Sequence, residues 1–131
     1  MKSILIVIVV GLLFSCGKDG DRSNNLCETY FVIDSTNTPR TSTVANGITT
    51  IIRCYGSNLC YTYTDMDITI RPGNVFEIHA KGKIPCGAVV CAQALREARD
   101  TGRISTASAG TYYLKFYNNT SLLKTDTITV N

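Results

Sequence analysis

Ala109-Gly110-Thr111-Tyr112-Tyr113-Leu114-Lys115-Phe116-Tyr117 is dense in aromatic and other β-prone residues, and it runs through Asn118-Asn119 into Ser121 to Val130. Two β-rich runs around an Asn-Asn break predict a hairpin of two long strands. Upstream, Val75 to Lys83 alternates strictly. Phe76, Ile78 and Ala80 are expected to face a core, while Glu77, His79 and Lys81 face water. Ile48 to Tyr55 reads the same way, with Ile48, Thr50, Ile52 and Cys54 on one face, and Asn46-Gly47 supplies a turn before it.

The remaining segments fit an all-β chain. Cys27 to Ile33 predicts a first strand, and Asp34 to Thr43, with Pro39, a polar loop. Gly56-Ser57-Asn58-Leu59 turns the chain into Cys60 to Thr64, and Asp65 to Ile70 continues as a short strand with Met66, Ile68 and Ile70 alternating. Arg71-Pro72-Gly73-Asn74 is a tight turn. Ala88 to Arg99 mixes β-prone Val89-Val90 with helix-prone Ala94 to Arg99. Following a strand and the Ile84-Pro85-Cys86-Gly87 turn, it reads as the return strand of a hairpin.

Gly110-x-Tyr112-x-Leu114 resembles the tyrosine corner of immunoglobulin-like domains, in which a Tyr hydroxyl bonds back to upstream backbone. The resemblance implies an immunoglobulin-like β-sandwich of about seven strands. Leu114 stands where the second inter-sheet Cys of antibody domains would be, so that disulfide is not expected.

At the N-terminus, Lys2 precedes an uninterrupted apolar run from Ile4 to Leu13, about half the roughly twenty residues a bilayer-spanning helix needs. This predicts a signal peptide over 1–15. Leu13-Phe14-Ser15-Cys16 resembles the lipobox of bacterial lipoproteins. That resemblance implies cleavage before Cys16, its lipidation, and a stable lipid anchor. Gly17 to Asn25 is polar, with charges of both signs, so 16–25 reads as a lipidated Cys and solvated tether, and 26–131 as one domain. Lys18-Asp19 and Asp21 look like the acidic signals that carry some lipoproteins to the outer face. The expected location is the outer membrane, lipid-anchored, with exposure at the cell surface and a periplasm-facing leaflet both open.

Composition narrows the partners. The 131 residues carry a formal charge of +3, and removal of the signal takes away only Lys2 among the charged groups. So small and evenly spread a charge gives no footprint for nucleic acid. Trp is absent, and there are seven Tyr. No phosphate-binding Gly-rich loop, nucleophile elbow or zinc-protease motif occurs, and no cofactor is expected.

With Cys16 lipidated, Cys27, Cys54, Cys60, Cys86 and Cys91 remain, and an oxidising envelope favours disulfides. Local pairs Cys54–Cys60 and Cys86–Cys91 are the simplest assignment, leaving Cys27. A longer bridge from Cys60 to Cys86 or Cys91 competes, since spacing does not fix connectivity. One cysteine stays unpaired. The lone His and the lack of Cys-x-x-Cys argue against a metal or thioredoxin-like site. Asp65-x-Asp67 is too sparse for a Ca²⁺ loop.

His79, beside Glu77, reads as a solvated strand residue. Tyr55, Tyr61 and Tyr63 cluster around the Gly56–Leu59 turn and offer a binding surface for a sugar or protein. Asn118-Asn119-Thr120 matches a glycosylation sequon, which a bacterial lipoprotein would not normally have modified. The expectation is a non-catalytic accessory or interaction module that binds a protein or glycan at the outer membrane. An envelope hydrolase or thiol-redox enzyme using His79 or the spare thiol is the alternative from another class. A structural surface-coat component is the third.

Overall fold

The computed structural model describes residues 25–131. The expected signal peptide, the lipobox Cys16 and all but the last residue of the tether lie outside the described residues. Every regular element among the described residues is a β-strand, and there are nine where the sequence suggests about seven. They form a six-stranded sheet and a three-stranded sheet.

The smaller sheet is β2 (Val32–Asn37), β4 (Ile48–Gly56) and β7 (Arg96–Ile104), in the order β2-β4-β7 and antiparallel throughout. In β4 the residues Ile48, Thr50, Ile52 and Cys54 are all buried, as their alternation implies. Thr50 is tolerated there because its hydroxyl bonds that of Thr38 at 2.6 Å. Gly47 turns the chain into β4 at φ 64°, and a Cβ there would collide with the Ile104 carbonyl oxygen.

The larger sheet contains β1 (Leu26–Tyr30), β3 (Thr41–Ser42), β5 (Thr62–Arg71), β6 (Val75–Pro85), β8 (Gly110–Asn118) and β9 (Ser121–Val130). Its spine is β6. One side of β6 pairs antiparallel with β5, through the turn at Gly73 and Asn74. The other side is shared: β8 pairs parallel with Val75 to His79, and β1 pairs antiparallel with Lys81 to Pro85. The β8–β9 hairpin is present as expected, and β3 pairs parallel with the end of β9.

Both sheets turn apolar residues toward one another and form a single core. Ile33, Ile52 and Ile104 face in from the smaller sheet, and Ile78, Leu114, Phe116 and Ile128 from the larger. Tyr112 is 4% exposed, and its hydroxyl donates to the Ser108 carbonyl at 2.8 Å. This is the upstream backbone bond that the Gly110-x-Tyr112-x-Leu114 pattern implies. On the β5 edge, Met66 and Ile68 pack over Gly102, where a Cβ would stand 2.5 Å from the Met66 sulfur. Ile70 continues the alternation in sequence, yet it is 74% exposed.

Several segments differ from their sequence reading. Cys27 to Ile33 is not one strand. It breaks at Phe31, which is buried and donates its N–H to the Ala80 carbonyl at 2.8 Å; β1 before it belongs to the larger sheet and β2 after it to the smaller. Part of the expected Asp34–Thr43 loop is the end of β2 and all of β3. A bulge between Ile33 and Ser35 lets the Asn118 side chain bond both backbone groups of Ile33, at 2.7 and 3.3 Å. Cys60 to Thr64 and Asp65 to Ile70 are largely one strand, β5, with a bulge between Tyr63 and Asp65.

Ala88 to Arg99 is not a hairpin return. Residues 86–95 cross from the larger sheet to the smaller as a loop, and only from Arg96 does β7 begin, paired with β4 and not with β6. The cysteines follow from that crossing. Cys27 is bonded to Cys86 and Cys60 to Cys91, with Cα separations of 5.2 and 5.7 Å. The local pairs Cys54–Cys60 and Cys86–Cys91 do not form, Cys27 is not the leftover, and the unpaired residue is Cys54, buried in β4. Of the options left open by spacing, Cys60–Cys91 is present.

Candidate functional site

The three tyrosines grouped by sequence do not share a surface. Tyr61 and Tyr63 lean inward, each meeting the Phe31 ring edge-on with centroids 5.6 and 5.5 Å apart. The Tyr63 hydroxyl donates to Asp100 at 2.7 Å. Burial, and then this hydrogen bond, raise the Tyr63 hydroxyl above its usual titration range. Gly56 allows the approach, since a Cβ there would run into the Tyr61 side chain. These two rings close the edge of the core.

Tyr55 points the other way, to the outer face of the smaller sheet. There it borders a shallow depression of about 210 Å³ with Asp34, Arg53, Glu97 and Arg99. A second depression adjoins it, sharing Arg53 and Arg99. The register explains the grouping: Arg53 lies directly opposite Arg99 across the β4–β7 ladder, and Tyr55 opposite Glu97. Both arginines are exposed, and neither joins the ion pairs found among the described residues, which are Arg71–Glu77, Lys81–Asp67 and Lys124–Asp126.

Like charges directly opposite on a sheet face repel, and Asp34 and Glu97 on the same depression offset that repulsion only in part, since neither forms an ion pair with Arg53 or Arg99. An anionic group between the two guanidiniums would accept planar, paired hydrogen bonds from them. Tyr55 adds an aromatic wall. Sequence reasoning reached Tyr55 but missed both arginines, because their meeting depends on a register between segments more than forty residues apart. The only local signal is a basic residue on the outward positions of each strand.

No family model, curated protein or solved structure matches the chain. The chemistry of the remaining candidates therefore rests on geometry. His79 is not simply solvated: it is half-buried, stacked on Tyr117 at 5.2 Å and 12°, with Tyr30 at 5.3 Å. Its Nδ1 is buried and has no hydrogen-bond partner. Glu77, the carboxylate nearest in sequence, is held by Arg71 at 2.7 Å. His79 and Glu77 thus lack the bond by which a carboxylate orients a catalytic base. Asp67 pairs with Lys81, and among the described residues no group of three metal-ligating side chains occurs. The Asn118 amide of the sequon is engaged by Ile33.

Cys54 is 3% exposed, and burial, with a smaller contribution from the Asp100 carboxylate, pushes its thiol up to about 11. A thiol held protonated at neutral pH is a poor nucleophile. The shift has a stability consequence with a definite sign. The unfolded thiol ionises near 9.0 and the folded one near 11, so its contribution is complete below pH 9 and is lost as pH rises toward 11. The loss expected is about 2–3 kcal/mol. Tyr63 acts in the same direction in both chains, so the steeper fall expected of the wild-type curve over that of Cys54→Ala isolates the thiol. Urea titrations of both chains between pH 8 and about 11 check this. Parallel curves would mean that the thiol is not shielded.

Proposed function

We propose that this chain is a lipid-anchored cell-envelope protein whose sandwich is a non-catalytic interaction module. It presents the Arg53–Arg99 face to an acidic protein or glycan at the outer membrane. The observation that carries the reading is the unpaired cross-strand arginine pair beside Tyr55. The lipobox resemblance of Leu13 to Cys16 supports the anchor. An immunoglobulin-like character is supported by the two-layer core and by the bond from Tyr112 to Ser108. The parallel β6–β8 pair departs from the antiparallel sheets of immunoglobulin domains, so the likeness lies in the corner and the core rather than in strand order. The buried Cys54 and the engaged Glu77 weigh against a thiol or His79 mechanism.

The test is a crosslinked pull-down of the full, lipidated chain from intact membranes, with the Arg53→Ala/Arg99→Ala variant alongside. A partner near unit stoichiometry is expected to fall by about tenfold or more in the variant, as two charge-assisted contacts are lost. If no protein is recovered, arrays of acidic and neutral glycans should show a preference for acidic ones that the variant loses. Identical profiles for both chains in both assays would sink the arginine face as the contact.

A further inference from the structure

The loop from Cys86 to Leu95 has no charged residue, and neither does Gly56 to Thr64, the segment to which Cys60–Cys91 ties it. Val90 is 100% exposed and Val89 52%, with Leu59 at 47% and Leu95 at 58% close by in the bridged pair. The tip is nevertheless fixed. Cys86 is bonded to Cys27, Cys91 to Cys60, and the Leu59 N–H donates to the Ala92 carbonyl at 3.1 Å. A clamped, uncharged aliphatic tip whose outermost residue, Val90, packs against nothing in its own domain has the character of a docking surface.

The chain enters the domain at the same end. The Asn25 carbonyl accepts from the Cys86 N–H at 2.7 Å, and Leu26, 49% exposed, is adjacent. About nine residues separate Asn25 from Cys16, a reach of at most about 30 Å. The opposite end of β6, at the turn after Arg71, lies about 30 Å along the strand from that end. We propose that the Val89–Val90 tip seats in the boundary between lipid headgroups and acyl chains, so that the domain stands on the bilayer by its disulfide-linked end. The proposal rests on the reading of Cys16 as the anchor. Tethering makes insertion an intramolecular event, so two valines suffice where a free domain would need more apolar area. The disulfides remove most of the ordering that a flexible loop would undergo on insertion, and the missing charges spare it their desolvation.

The chain has no tryptophan, so Val90→Trp provides a single indole, excited selectively over the seven Tyr, at a site that packs against nothing. The full lipidated V90W chain is reconstituted into phosphatidylcholine–phosphatidylglycerol vesicles, with and without bromine on the upper acyl chains. I70W, at the far end of the sandwich, is the comparison. V90W emission is expected to shift to the blue and to lose about half its intensity to brominated lipid, with I70W unchanged. Intact mass separates the two readings: a mature mass without acyl chains overturns the anchor and the docking together. A lipidated V90W chain that is quenched no more than I70W overturns the docking alone. Quenching in native membranes but not in pure lipid would assign the tip to a membrane protein and overturn the lipid assignment.

Discussion

Replacing Cys27 and Cys86 together with alanine is expected to remove about 4 kcal/mol of stability. The bridge closes a loop with a sequence separation of 59, against 31 for Cys60–Cys91, so it restricts the unfolded chain more. Its native role is equally specific. The strand β1 is short, exposed at Cys27 and Glu28, and lies on the half of β6 that β8 leaves free. Without the bridge, it is held by the ladder from Leu26 to Tyr30, by the flanking backbone bonds of Asn25 to Cys86 and Phe31 to Ala80, and by the Tyr30–His79 contact. A domain of this size has roughly 5–15 kcal/mol in total, so the variant should be folded but fragile. Urea titration should show a midpoint lowered by at least about 1 M and a steeper slope, because the unfolded chain freed of the bridge exposes more surface. A change below about 1 kcal/mol would mean that the bridge does little to restrict the unfolded chain.

Phe31→Ala should follow closely, at about 3–5 kcal/mol. Phe31 is 1% exposed and sits where the chain passes from the larger sheet to the smaller. Its ring lies against Gly82, where a Cβ would be 2.5 Å away, and carries Tyr61 and Tyr63 edge-on. Truncation would open a cavity and loosen both tyrosines, including the one bonded to Asp100. Tyr30→Ala is the comparison. Tyr30 is 40% exposed and meets His79 on the outer face, so its loss should stay near about 1 kcal/mol. Equal losses at Tyr30 and Phe31 would show that the sheet crossing is not seated on the ring.

What could be read from the sequence was whatever depends on neighbours in the chain. The buried face of β4, the alternation through Phe76, Ile78 and Ala80, the β8–β9 hairpin and the Tyr112 corner follow from spacing of two and from local turns. What could not be read depends on partners far along the chain. The passage of Phe31 from one sheet to the other leaves no mark, because Phe31 and Ile33 point inward on either side of it and keep the strand's alternation intact. Cys54 and Cys60 look like a local pair only if β4 and β5 form a hairpin, and they belong to different sheets. The arginine face was hidden for the same reason, since Arg53 meets Arg99 only through the β4–β7 register. Val89 and Val90 misled in another way. Their β-branched side chains suggest a strand, but the covalent crossing between sheets needs that length of chain as a loop.

The position of Cys27, two residues after Asn25, also decides how the domain carries mechanical load. Tension on the chain ahead of Leu26 reaches Cys27 almost at once and crosses to Cys86 through a covalent bond. The force then enters the sandwich through β6, the strand with the most neighbours, instead of peeling β1 away one hydrogen bond at a time. From β6 it spreads into both β5 and β8. Under tension applied ahead of Leu26, the sandwich would therefore yield as a unit, without first losing β1.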